Sequence, residues 1–221
     1  MPSSALARVA HRALALTVVA SASLGAQTYG HSIVARNIVD TFLQYTTFGL
    51  GAPFLPTGPG TLSTFSVFGG PTAPPGGGNN IGQSLTPLLA RNIGGVWRVT
   101  GTGASRTVQA GVNSWDFALT SGSAAVDADV RFGWWSSGAG AVHYSEGGPL
   151  MAFSNIAQFP SLPGVGTEVP LGGLAFSRTY SISFTVAPNT TVIPEPSTYL
   201  LMATGLAGLA VVRGRRRTRA S

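Results

Sequence analysis

Cysteine is absent from the 221 residues, and charge is scarce, at 9% of the chain against about 25% in an ordinary soluble protein. Without cysteine there is no disulfide framework, no thiolate metal site and no cysteine nucleophile. So little charge excludes a highly charged disordered chain and a coiled coil. Histidine is nearly absent too. His31 and His143 are the two beyond the first 26 residues, and their separation is a poor basis for a zinc site. Glycine (30 residues), proline (15 residues) and a 44% hydrophobic content fill the space. A length of 221 residues suits one domain with short appendages.

The net charge of +6 sits at the ends. Arg8 and Arg12 lie in the first 26 residues, and Arg213, Arg215, Arg216, Arg217 and Arg219 lie in the last nine. Between them, residues 27–212 hold six arginines against seven acids. The basic pI therefore describes the ends. A near-neutral middle removes the electrostatic footprint that nucleic-acid binding requires.

The amino terminus has the three parts of a secretory signal. Arg8 and Arg12 form the positive region, residues 13–20 the apolar region, and Ser21 to Ala26 the small residues that a signal peptidase needs. Cleavage after Ala22 or after Ala26 fits. The apolar run is too short to span a hydrocarbon core about 30 Å thick. No arginine pair marks a twin-arginine route, and no cysteine marks a lipid anchor.

The carboxyl terminus is also tripartite. Pro194-Glu195-Pro196-Ser197-Thr198 comes first, then an uncharged apolar run to Val212, then the five arginines. Two prolines around Glu195 disfavour helix and sheet and hold the segment extended, where an enzyme can grip it. Residues 197–212, as a helix, reach about 24 Å, a short span that local thinning of the bilayer accommodates. The arginines then act as a cytoplasmic stop.

This order of motif, span and basic cluster closely resembles the PEP-CTERM sorting signal. The resemblance implies that Pro194, Glu195, Pro196, Ser197 and Thr198 form the recognition motif for an inner-membrane exosortase. It also implies passage through the Sec translocon, transient membrane anchoring and removal of the tail. The implied destination is the cell surface or extracellular matrix of a Gram-negative bacterium, in an exopolysaccharide or biofilm setting.

Residues 27–192 show little helical periodicity. Only Ser32 to Phe48 is open to a helix, and its β-branched and aromatic content equally suits strands. Elsewhere strand-like runs alternate with glycine and proline clusters, which predicts an all-β body, a single antiparallel β-sandwich or jelly roll. Expected strands include 61–68, 96–100, 106–112, 115–120, 124–134, 141–145 and 149–154, with a hairpin across Gly101–Ala104. Residues 178–186 alternate cleanly and predict one half-buried strand. Tyr180, Ile182, Phe184 and Val186 face inward, and Thr179, Ser181, Ser183 and Thr185 face solvent. Residues 69–80 read as a flexible loop. The organisation is a signal peptide (1–26), a β-rich domain (27–192) and a sorting signal (193–221), with a signal helix and a transmembrane helix flanking the body.

Few side chains in the body suggest chemistry. Asp127 and Asp129 would share one strand face, a solvated face before it is a calcium site. Trp134 and Trp135 would point to opposite sides of a strand. One then fills the core, and the other offers a flat ring for glycan contact. His143 has no nucleophile elbow to serve. The expectation is a non-enzymatic structural or adhesive protein without cofactor or metal. Exopolysaccharide is its candidate partner, and nucleic acid is not one. The alternatives are a secreted glycan-active hydrolase and a small-ligand or ice-binding module.

Overall fold

The computed structural model describes residues 25–40, 45–138, 140–154, 160–171 and 174–189. The expected signal helix and transmembrane helix lie outside these residues. Among the described residues there is no helix, and every strand pairing is antiparallel. Of the segment 32–48, Ile38–Val39 and Tyr45–Phe48 are strand, and residues 32–37 and 40 are irregular.

Among the described residues fourteen strands make two sheets. The smaller runs β1 (Gln27–Gly30), β14 (Ile182–Pro188), β4 (Gly60–Gly69) and β10 (Ala125–Val126), with β8 (Gly111–Asp116) also on β4. The larger runs β13 (Leu174–Tyr180), β12 (His143–Ser154), β3 (Tyr45–Gly49), β11 (Val130–Ser136), β5 (Ser84–Ile93), β6 (Val96–Gly103) and β9 (Leu119–Gly122). The short strands β2 (Ile38–Val39) and β7 (Arg106–Thr107) join β12 and β5.

Alternation explains the main core. Phe65 and Val67 of β4 and Ile182, Phe184 and Val186 of β14 meet Leu85, Leu89, Phe132, Trp134 and Met151 from the larger sheet. Phe132 stacks on Phe184 across the gap, with centroids 5.0 Å apart and rings 9° from parallel. Each such ring contributes roughly 1.5–3 kcal/mol by leaving water.

The larger sheet buries part of its other face as well. Thr167 accepts from the Val99 N–H and Val169 donates to the Trp97 carbonyl, each at 2.9 Å, so this segment lines the edge of β6. It carries Val169 and Leu171 into a second cluster with Phe48, Leu88, Ala90, Val99 and Ala152. Gly133 faces Phe48 in the register, and a side chain there would collide with the Phe48 ring.

Four local expectations are corrected. The hairpin lies one strand earlier, between β5 and β6, where Ile93 pairs with Val96. Gly94 and Gly95 take φ values of 63° and 87°, the left-handed pair that a tight two-residue hairpin requires. Gly101 and Gly103 are inside β6 instead, where a side chain would strike the Ser123 carbonyl and the Phe117 ring. Residues 178–186 form two strands in different sheets, with Ser181 at the crossing. The predicted inner face survives because both sheets face the same core. Ser181 is buried, not solvent-facing: its Oγ accepts from the Val34 N–H at 2.9 Å, and its N–H donates to the His143 carbonyl at 2.8 Å. Ser183 is also buried. The loop 69–80 is tied down by Asn80, whose amide accepts from Gly70 at 2.9 Å and donates to the Phe68 and Ala141 carbonyls at 2.7 and 2.9 Å.

The stack gives a stability prediction. Phe184→Ala removes a ring from the sheet-to-sheet contact and destabilises the protein by about 3–5 kcal/mol in urea denaturation. Leu150→Ala, at a side chain 48% exposed, costs far less, within about 1 kcal/mol.

Candidate functional site

Trp134 on β11 is 0% exposed and packs edge-on against Tyr180 at 4.9 Å, so it is a core residue and is corrected as a glycan contact. Trp135 points to the opposite face, half-buried against the second cluster. Its Nε1 is enclosed without a hydrogen-bond partner among the described residues, so its ring is held in packing and does not stand free. Trp115 packs against the main core and Trp97 against the second, under the Arg131 guanidinium at 4.9 Å.

Asp127 and Asp129 do not share a strand face. They lie in the turn between β10 and β11, where Asp127 Oδ1 accepts from the Asp129 N–H at 3.0 Å. Asp127 Oδ2 accepts from Arg91 at 2.7 Å. This is an Asx turn plus an ion pair, not a calcium loop. Among the described residues no group of three histidines or acids gathers around a metal-sized space.

His143 is fully buried beside Phe68, and its Nδ1 accepts from the Arg36 N–H at 3.4 Å. Burial holds its pKa below the ordinary histidine value, with the Gly70 backbone opposing. His31 is lowered the same way, with Arg36 adding to the effect.

The densest polar arrangement was not anticipated from the sequence. Asp40 follows β2 and is 2% exposed. Its Oδ1 accepts from Arg178 of β13 at 2.6 Å and its Oδ2 from the Tyr180 hydroxyl at 3.0 Å. The Arg178 guanidinium lies 4.0 Å from the Tyr144 ring centroid and 4.8 Å from that of Phe176. Burial raises the Asp40 pKa while Arg178 and the hydrogen bonds pull it back. Burial also pushes Tyr180 well above its ordinary value, and the Asp40 charge adds to this. Both carboxylate oxygens are satisfied and the cation lies over two rings, so the cluster clamps β13 to the chain just after β2. A signal for it was present: Asp40 is the first acid in the chain and Arg178 the lone cation between Arg131 and Arg213. Isolated opposite charges in apolar surroundings tend to pair.

The folded unit closes at Asn189, whose Oδ1 accepts from the Thr61 hydroxyl at 3.1 Å. Four residues then precede Pro194. Pro194 to Thr198, the span 197–212 and Arg213 to Arg219 lie outside the described residues. Residues 192–217 match the PEP-CTERM protein-sorting motif. The match brings an export route and an exosortase as processing partner. It covers the tail and says nothing of the β unit. No curated protein and no solved structure matches the chain at an accepted level of significance. No helix among the described residues is long and apolar enough to cross a membrane.

Two predictions follow from the buried groups. Asp40→Asn leaves the Arg178 charge without its partner and costs about 3–5 kcal/mol in denaturant unfolding, and Arg178→Met added to it recovers part of that loss. The depressed histidines set a pH dependence. The unfolded chain binds protons that buried His143 and half-buried His31 resist, so stability falls as pH drops below about 6.5. Unfolding midpoints measured from pH 7.5 to 5.5 show this decline, and His143→Gln flattens it whatever its effect on absolute stability.

Proposed function

We infer that this is an exported protein, sorted through its PEP-CTERM motif and cut by an exosortase. Its β-sandwich then serves a non-enzymatic, structural or adhesive role at the cell surface or in an extracellular polysaccharide matrix. The observation that carries this reading is the motif match at 192–217, which begins directly after a folded unit closing at Asn189. A signal-like amino terminus supports the same route, because export must precede exosortase cutting.

Some of the body's acids and its buried histidine are engaged in structure. Asp40 is tied to Arg178, Asp127 to Arg91, and Glu168 lies 3.9 Å from Arg98. His143 is closed off from solvent. A glycan-active hydrolase needs two carboxylates facing each other across a cleft; pairing with arginine makes Asp40 and Asp127 poor candidates for that role, while among the described residues Asp116, Asp129 and Glu146 are in no such ion pair.

The test is to fractionate the native host and map both ends of the protein by mass spectrometry. The expected product is in the surface or medium fraction, starts near Ser23 or Gln27 and ends near Pro194–Thr198. Glu195→Ala accumulates an uncut form in the inner membrane. An unmodified chain that stays in the inner membrane and keeps Arg213 to Arg219 overturns the reading.

A further inference from the structure

One end of the sandwich brings the exit of the sorting tail together with an apolar hairpin tip. β14 finishes at Pro188 opposite Gly60, and Gly60 faces Val126 of β10 on its other side. Asp127, the next residue, holds Arg91 of β5 at 2.7 Å. Asn189, the β10–β11 turn and the outer rungs of the β5–β6 hairpin therefore share that end.

The hairpin runs past its neighbour. Pairing of β5 with β11 stops at Arg91. Two further rungs, Asn92 with Trp97 and Ile93 with Val96, carry the hairpin beyond it to the Gly94–Gly95 turn. From Asn92 to Trp97 no residue is charged. Trp97 packs against the second cluster, but Ile93 and Val96 belong to neither buried cluster. Ile93 is 51% exposed, and Val96 beside it is half-buried. The glycines satisfy the turn by themselves, so its geometry does not require two β-branched apolar side chains beside it. Their cost in water is recovered only against an apolar partner.

Chain length identifies that partner. Ser197, where the uncharged run begins, is eight residues after Asn189, and an extended chain of that length reaches at most about 29 Å. A bilayer that holds residues 197–212 therefore keeps the Asn189 end of the body within that reach. The far end is set back: Val112 faces Phe68, eight residues along β4 from Gly60, which is about 26 Å of strand. Charge adds little to the contact. Behind the tip Arg91 pairs with Asp127, Arg98 lies 3.9 Å from Glu168, and Arg131 feels the charge of Asp129. With three charges of each sign, the end calls for no anionic lipid.

We propose that the β5–β6 hairpin tip, through Ile93 and Val96, dips into the surface of the bilayer that holds the uncut sorting tail. The proposal goes beyond the sorting reading and rests on it for the anchor. Two side chains bind weakly, so the contact depends on the high effective concentration that the tether supplies. Cutting the tail removes the tether and frees the tip.

The test uses the full-length chain reconstituted in phosphatidylcholine vesicles. The chain has no cysteine, so Ile93→Cys, Ala125→Cys and Val112→Cys each carry one fluorophore, all at exposed positions. Nitroxide-labelled lipid reports contact by quenching. The expected quenching is strong at 93, weaker at 125, which shares the end but sits on β10, and absent at 112. It persists when salt is raised. Val96→Asp added to Ile93→Cys lowers contact at 93 by about tenfold, equivalent to about 1.4 kcal/mol, and keeps the circular dichroism of the parent. Absence of quenching at 93, equal quenching at 93 and 125, or full quenching in a folded Val96→Asp variant overturns the proposal. So does a spectral shift at 93 that vanishes as chains are diluted with lipid, which assigns the tip to a second copy. Flotation separates the tip from the anchor. Chains that float with the vesicles but show no quenching at 93 overturn the tip alone, whereas chains that fail to float overturn the anchor and the tip with it.

Discussion

The folded unit depends on the contact between two apolar sheet faces, centred where Phe132 stacks on Phe184. Each sheet alone would leave a face of rings and aliphatic side chains in water, and a sandwich is the arrangement that hides both. Because β14 lies between β1 and β4, it supplies Ile182, Phe184 and Val186 to that contact and holds the smaller sheet together. The stretch that completes the core is therefore the one that leads into the sorting tail.

Polar groups drawn into such a core must be satisfied internally. Three sites in the molecule do this with few charges. Asp40, Arg178 and Tyr180 satisfy one another, and Asn80 closes a glycine-rich loop with one side-chain amide. Ser181, where the chain changes sheets, donates its N–H to the His143 carbonyl and accepts from the Val34 N–H.

Much of the body was legible as alternation. Residues 61–68 became β4, and the inner face of 178–186 was read correctly. The divisions within runs were less visible. The stretch 124–134 is broken by the Asp127 turn, whereas 141–145 and 149–154 join in β12 through an irregularity between Glu146 and Leu150. Glycine was the most misleading residue. Gly101 and Gly103 look like a turn but make room for Ser123 and Phe117, while Gly94 and Gly95 are the true turn. Composition does not separate a glycine needed for its φ from one needed for its missing side chain. Trp134 and Trp135 were expected on opposite faces, but that the second face is also partly covered depended on Val169 and Leu171, far along the chain.

By itself the sequence determined the sorting tail, the all-β class and the inward face of individual strands. A sorting signal is read as a linear peptide, and the side-chain period of two is a local property, so both survive without knowledge of the fold. Only the tertiary structure decided which strands became neighbours. It joined Asp40 to Arg178 across 138 residues, sent 178–186 into two sheets, and set the β5–β6 hairpin at the end where the tail leaves. Those outcomes depend on register between distant segments, where a shift of one residue exchanges the buried face for the exposed one.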